Sequence, residues 1–197
     1  MKIRTGIILL SGLLLAGANA AVIDWTTHEI TGNPSEVITT GMLVEAVNGV
    51  GNGVRKSPTI NGVTFTADEA LLGGSYKGDV WVPVVSDPGY DELLSTIDFE
   101  SSGTGPYTIK TFSNLIAGQE YLIQYWYADS DWQRHSRTLT FNGIGQNRIN
   151  GFLYGVGRFI ADAPTQDLVV TSSHDGPRLT AYQLRVVPTA KPLGLIY

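Results

Sequence analysis

The sequence predicts an all-β fold: a jelly-roll β-sandwich with one short helix in a connection, built as a single domain over residues 21–187. Three observations carry this. Short segments rich in Val, Ile, Thr, Tyr, Phe and Trp recur along the chain, each bounded by clusters of Gly, Asn, Asp and Pro. Only one stretch has both the capping residues and the apolar spacing of a helix. A hydrophobic share of 43% over 197 residues is enough for one buried core.

Residues 1–20 read as a secretory leader ahead of that domain. Lys2 and Arg4 form a positive start, Ile7–Leu15 an apolar run, and Ala18-Asn19-Ala20 an A-x-A cleavage site. The apolar run is well short of the ~20 residues that span a bilayer, so no membrane span is expected. No cysteine follows it to carry a lipid. Cleavage after Ala20 leaves 177 residues with 11 Lys and Arg against 18 Asp and Glu, a net charge of −7. The expected location is outside the cytoplasm: secreted, periplasmic or at a bacterial cell surface. An acidic domain is a poor ligand for nucleic acid.

The expected strands are Val22–Trp25, Met42–Val47, Gly62–Thr66, Asp79–Val85, Tyr107–Leu115, Glu120–Tyr127, Arg137–Phe141, Phe152–Ile160, Asp167–Thr171 and Arg178–Val187. Alternation in Tyr107–Leu115 is only approximate, because Ile109 and Phe112 interrupt a polar series. Arg178–Val187 is cleaner, with Thr180, Tyr182, Leu184 and Val186 as its apolar face. The helix is expected over Pro88–Ile97. Asp87 is the N-cap, Pro88 takes the first helical position, and Asp91 and Glu92 lie in the first turn. Tyr90, Leu93, Leu94 and Ile97 form its buried stripe. The glycine-rich stretch Asn48–Gly53 lacks the Lys-Ser/Thr of a phosphate loop and reads as a turn. Residues 188–197 form a tail with two prolines and an apolar end.

Several motifs resemble a group of exported domains common in planctomycetes and verrucomicrobia. They are Ala117-Gly118-Gln119-Glu120-Tyr121-Leu122-Ile123-Gln124-Tyr125-Trp126, then Gly155-x-Gly157-x-Phe159-Ile160-Ala161-Asp162-Ala163-x-Thr165-Gln166, and the close Leu179-Thr180-Ala181-Tyr182-Gln183-Leu184-Arg185. Asn61-Gly62-Val63-Thr64-Phe65, Asp129 and Arg137-Thr138 extend the likeness over most of residues 60–187. The resemblance implies a β-jelly roll similar to galactose-binding-like and other carbohydrate-binding modules. The motifs contain no catalytic signature. This chain departs from the pattern at Ala128, and the segment from Ser130 to Ser136 is more aromatic and basic than the group's.

The segment Tyr125–Arg137 holds the densest chemistry. Alternation puts Tyr125 and Tyr127 on one face and Trp126 on the other. The following loop presents Trp132 among Asp131, Gln133, Arg134 and His135. Sugar rings combine apolar C–H faces with hydroxyl edges, so an aromatic platform beside carboxylate, amide and guanidinium groups suits them. Trp132, Asp131, Gln133, Arg134, Tyr127 and His135 are therefore the candidate ligand-binding residues, and a polysaccharide or cell-surface glycan is the expected partner. The bland alternative makes Trp126 core and pairs Asp129 with Arg137.

Other chemistry is less well supported. Zero cysteines exclude a disulfide framework, a thiolate metal site and a cysteine nucleophile. Asp129-Ser130-Asp131-Trp132-Gln133 opens like a calcium loop, but Arg134 replaces its glycine and Thr140 its bidentate acid. No cofactor is expected, although calcium held by backbone carbonyls and scattered acids is not legible in a sequence. His28, His135 and His174 show no metal-ligand spacing. Gly73-Gly74-Ser75-Tyr76-Lys77 only superficially resembles a nucleophile elbow. Asp24, Glu45, Glu100, Asp129 and Asp131 are the acids from which a glycosidase pair would have to come. Three classes stay open: a non-catalytic carbohydrate-binding or surface-recognition domain, favoured; a structural or adhesive envelope protein; and a polysaccharide-active enzyme.

Overall fold

A computed structural model describes residues 21–49, 56–68, 72, 74–77, 85–100, 103–128, 139–141, 144–146, 152–173 and 176–188. Its strands are β1 Asp24–Glu29, β2 Met42–Gly49, β3 Thr59–Ile60, β4 Val63–Thr64, β5 Thr66–Asp68, β6 Gly74–Lys77, β7 Thr96–Phe99 and β8 Tyr107–Ser113. They continue as β9 Glu120–Ala128, β10 Leu139–Phe141, β11 Ile144–Gln146, β12 Phe152–Ile160, β13 Thr165–Ser172, β14 Arg178–Leu179 and β15 Ala181–Val186. The larger sheet has the order β1-β12-β9-β15-β2-β5, antiparallel except for the β2–β5 pair. A four-stranded sheet β11-β10-β13-β8 and a three-stranded sheet β14-β7-β6 accompany it. From β8 onward every step from one strand to the next changes sheet except β10–β11, which pair within the smaller one; this is the alternation of a jelly roll. The all-β sandwich is as the residue pattern predicts.

One core lies between the two main sheets. Ile123, Tyr125, Tyr182 and Leu184 of the large sheet pack against Ile109, Phe112, Phe141, Leu168 and Val170 of the smaller one. A second core lies on the opposite face of the large sheet. There Trp126, Ala128 and Ala181 are roofed by Ile30, Val37, Phe65, Tyr90, Leu93 and Leu94. The large sheet is thus buried on both faces where β9 and β15 run, which explains β9 as a continuous buried segment.

Local chemistry accounts for the connections. Asn61 and Gly62, with φ of +47° and +76°, make the turn between β3 and β4; Asn and Gly tolerate this left-handed backbone better than other residues. The helix α1 spans Pro88–Leu94, with the Asp87 side chain accepting from the Tyr90 N–H. It ends one turn before the expected limit. Ser95 donates back to Asp91 and Leu93, and the chain then extends as β7, so Ile97 is a buried strand residue rather than part of the helical stripe. Thr96–Phe99 shows no clear alternation and is not among the expected strands. Of the expected strand Asp79–Val85, residues 79–84 lie outside the described residues, and Val85 is not in a strand.

Candidate functional site

The strands that bracket the Trp132 segment end on one rim of the sandwich. β9 closes at Ala128, which stands opposite Phe152 at the start of β12. Trp126 stands opposite Ala181 at the start of β15, and Ala181 faces Asn48 near the end of β2. On the other sheet β10 opens at Leu139, opposite Ser172 at the end of β13 and Gln146 at the end of β11. Loops from both sheets therefore spring from the same end. Trp132, Asp131, Gln133, Arg134 and His135 lie outside the described residues, as do Asp129, Arg137, His174 and Asp175.

The described base beneath this rim is densely bonded. The Ala128 N–H donates to the Thr180 hydroxyl at 2.8 Å, and the Thr180 N–H donates to the Trp126 carbonyl at 3.0 Å. The Tyr125 hydroxyl donates to the Arg178 carbonyl, and the Arg178 guanidinium lies 5.2 Å from the Phe99 ring centre. The Leu72 N–H donates to the buried Asp98 carboxylate at 3.0 Å. Such a base anchors the loop ends.

Tyr127 belongs to that base. It is 3% exposed and packs in the core between the sheets, on the Tyr125 side of β9. At that burial it has no ring face open to a sugar. Trp126, fully buried on the opposite side, donates its Nε1–H to the Tyr90 hydroxyl at 3.2 Å. Tyr90 in turn donates to Glu36 Oε2 at 2.6 Å, and Glu36 Oε1 accepts from Thr31. Burial, reinforced by the Glu36 hydrogen bond, pushes the Tyr90 hydroxyl well above its ordinary value.

Three polar residues missing from the sequence expectations organise the outer face of the large sheet. Gln124 and Gln183 are fully buried and Arg185 is 5% exposed. Gln124 donates to the Glu36 carbonyl (2.6 Å) and accepts from the Ile38 N–H (3.0 Å). Gln183 donates to Gln124 Oε1 (2.7 Å) and to the Ile38 carbonyl (3.0 Å). Arg185 donates to the carbonyls of Thr39, Thr40 and Gly41 and to Gln183 Oε1. Residues 36–41 are thus held on the sheet by side chains that replace a β-ladder. The recurring Gln two residues before Trp126 and the Gln183-x-Arg185 spacing are this clasp. Their period of two was the available signal, although such a pattern equally describes a solvated face.

The acids are dispersed. Asp24 opens β1, and Glu45 lies on β2, four strands away across the sheet, or about 19 Å at the usual spacing. Glu100 follows β7 of the three-stranded sheet. Asp24 and Glu45 are therefore too far apart for the close carboxylate pair that glycoside hydrolysis needs, and Asp129 and Asp131 lie outside the described residues. Residues 74–77 form β6 within a sheet, not the strand-to-helix turn of a nucleophile elbow. Among the described residues there is no group of three or more His, Asp or Glu that would hold a metal, and no helix long and apolar enough to cross a membrane.

No protein-family model matches the sequence, and no curated protein matches it. Two solved structures are similar. One is a calcium binding mutant of Bacteroides uniformis beta-glucuronidase 2, with TM-score 0.52 and 17% identity. The other is Bacteroides uniformis beta-glucuronidase, with TM-score 0.51 and 16% identity. Each match covers 73% of this chain and 18% of the other. At these identities the likeness establishes a shared fold over a domain-sized part of a much longer protein.

Proposed function

We propose that this chain is an exported, non-catalytic carbohydrate-binding domain that holds a polysaccharide or cell-surface glycan at the rim carrying the Trp132 segment. The observation that carries it is the convergence of strand ends. β9 and β10, which flank an aromatic and polar segment in the chain, end where loops of both sheets leave the sandwich, beside a base that is internally bonded. The fold likeness to part of two beta-glucuronidases adds support, because those proteins are named for action on a sugar conjugate. In this reading Trp132 is the stacking platform, Asp131, Gln133, Arg134 and His135 supply directional hydrogen bonds, and Tyr127 stays beneath as packing. No cofactor is required.

The test is retention on insoluble polysaccharides and a glycan array, for the wild type and for Trp132→Ala. Loss of one aromatic contact of ~1–3 kcal/mol weakens binding about 5- to 150-fold. The melting temperature should change little, because the indole contributes to the ligand and not to the core. A mutant that unfolds, or a stable mutant that binds at full strength, refutes the assignment of Trp132. Export is tested separately: N-terminal sequencing of protein secreted by a bacterial host should start near Ala21.

A further inference from the structure

A cleft of about 240 Å³ opens on the side of the sandwich, away from the Trp132 rim, between β2 of the large sheet and β8 of the small one. Its lining includes Val44, Glu45 and Leu184 from one layer and Lys110, Ser113 and Asn114 from the other. Two β-bulges shape it. On β2, Glu45 pairs with Leu184 and Leu43 with Arg185, leaving Val44 as an extra residue. On β8, Lys110 pairs with Leu168 and Thr108 with Val169, leaving Ile109 extra. The second bulge breaks the alternation of β8 and brings Lys110 to the inward face, opposite the core residue Leu168. Glu45 likewise shares the inward face with Leu184. Both charges therefore point into the cleft from apolar faces, and bulges are a common device for re-aiming side chains at sites.

The two charges meet there. Lys110 Nζ lies 3.2 Å from Glu45 Oε2 and 6.0 Å from the centre of the Tyr182 ring. Each side chain of the pair keeps 30% of its surface exposed. Val44 is exposed at the cleft, since β5 pairs only with Val47–Gly49 and leaves this part of the β2 edge open. The cleft thus offers an ammonium, a carboxylate, a hydroxyl and an amide beside the exposed Val44 side chain.

We propose that this cleft is a second saccharide site, taking one neutral pyranose ring, with vicinal hydroxyls bridging Lys110 and Glu45 and the ring's C–H face against the exposed Val44 side chain. The inference rests on the carbohydrate-binding reading but uses a different part of the molecule. A neutral sugar suits it because Lys110 and Glu45 balance each other; a uronate or an amino sugar cation would gain from one of the two charges and lose to the other. The two ends of the ion pair supply a donor and an acceptor, matching adjacent hydroxyls that both donate and accept.

The experiment titrates the full-length chain, isotope-labelled for NMR, with glucose, galactose, mannose and N-acetylglucosamine in turn. At least one should give saturable, millimolar shifts centred on Glu45, Lys110, Ser113 and Asn114. Glu45→Gln and Lys110→Met should each weaken that binding about fivefold or more, while Trp132→Ala leaves it unchanged. Ser113→Ala, at an exposed position, serves if Lys110→Met fails to fold. No saturable shift up to ~100 mM, shifts centred elsewhere, or variants that bind like wild type overturn the cleft. Polysaccharide retention through Trp132 without monosaccharide binding overturns the cleft alone; monosaccharide binding in the cleft without retention overturns the Trp132 site alone; neither overturns both.

Discussion

Replacing Arg185 by alanine should loosen the clasp that holds residues 36–41 on the large sheet. The side chain donates four hydrogen bonds: Nε to Thr40 O (3.1 Å), Nη2 to Thr39 O (2.9 Å) and Gly41 O (3.1 Å), and Nη1 to Gln183 Oε1 (2.9 Å). Hydrogen bonds to a charged group are worth about 1.5–3 kcal/mol each, so a simple sum gives ~6–12 kcal/mol. That sum overstates the loss. Thr39 and Thr40 are exposed, so water can reach their carbonyls once the guanidinium is gone. Gln183 Oε1 is the exception, because its side chain is fully buried. A net destabilisation of about 2–4 kcal/mol follows, or ~4–16 °C in melting temperature for a chain of this size. Thermal melts of the wild type and Arg185→Ala measure the total. Amide hydrogen exchange locates it, with the Ile38 N–H, held by Gln124, losing protection before the amides of β9. Arg185→Lys should recover only part of the loss, since one ammonium cannot reproduce the fork. A shift below about 2 °C, or protection lost uniformly over the sheet, would show that the clasp contributes little.

Two further outcomes follow from packing and burial. Gly157→Ala should destabilise by about 1–3 kcal/mol, because an added Cβ would lie 2.7 Å from Ile23 Cγ2 and 3.0 Å from the Trp25 ring; denaturant midpoints for Gly157→Ala and the roomier Gly155→Ala test this, and equal costs would refute it. The contribution of the buried tyrosines to stability should be level from neutral pH to about pH 10 and fall above it. Burial raises the hydroxyls of Tyr90 and Tyr125 above the ordinary 10.0, so at higher pH the unfolded chain ionises these two groups while the folded chain cannot. Each contributes a decline of ~1.4 kcal/mol per pH unit, visible in urea titrations from pH 9 to 12 alongside tyrosinate absorbance; a flat profile would refute the burial argument.

Much of the fold was legible because its signals are local. Phe152–Ile160 is a strand at the expected limits, and the helix starts where Asp87 and Pro88 place it. The two faces of Tyr125-Trp126-Tyr127 divide between the two cores as alternation predicts. Ile97 was misplaced because strand pairing with β6 and β14 overrides a helical spacing of leucines. The five loop positions proposed for glycan contact lie outside the described residues, so their arrangement rests on the positions of the flanking strands.

The sequence by itself determined most of the segments that extend, where the helix starts and which side chains share a face, because those properties depend on neighbours within a few residues. Tertiary structure decided what each face meets. Gln124, Gln183 and Arg185 look like a solvated row, and they are buried because residues 36–41, some 85 to 145 positions earlier, fold onto them. Lys110 and Glu45 lie 65 residues apart and become neighbours only because two sheet edges close on one core, each strand carrying a bulge. The apolar pattern can specify that a face is covered. The partner is selected by long-range packing, whose free energy depends on contacts that no local window contains.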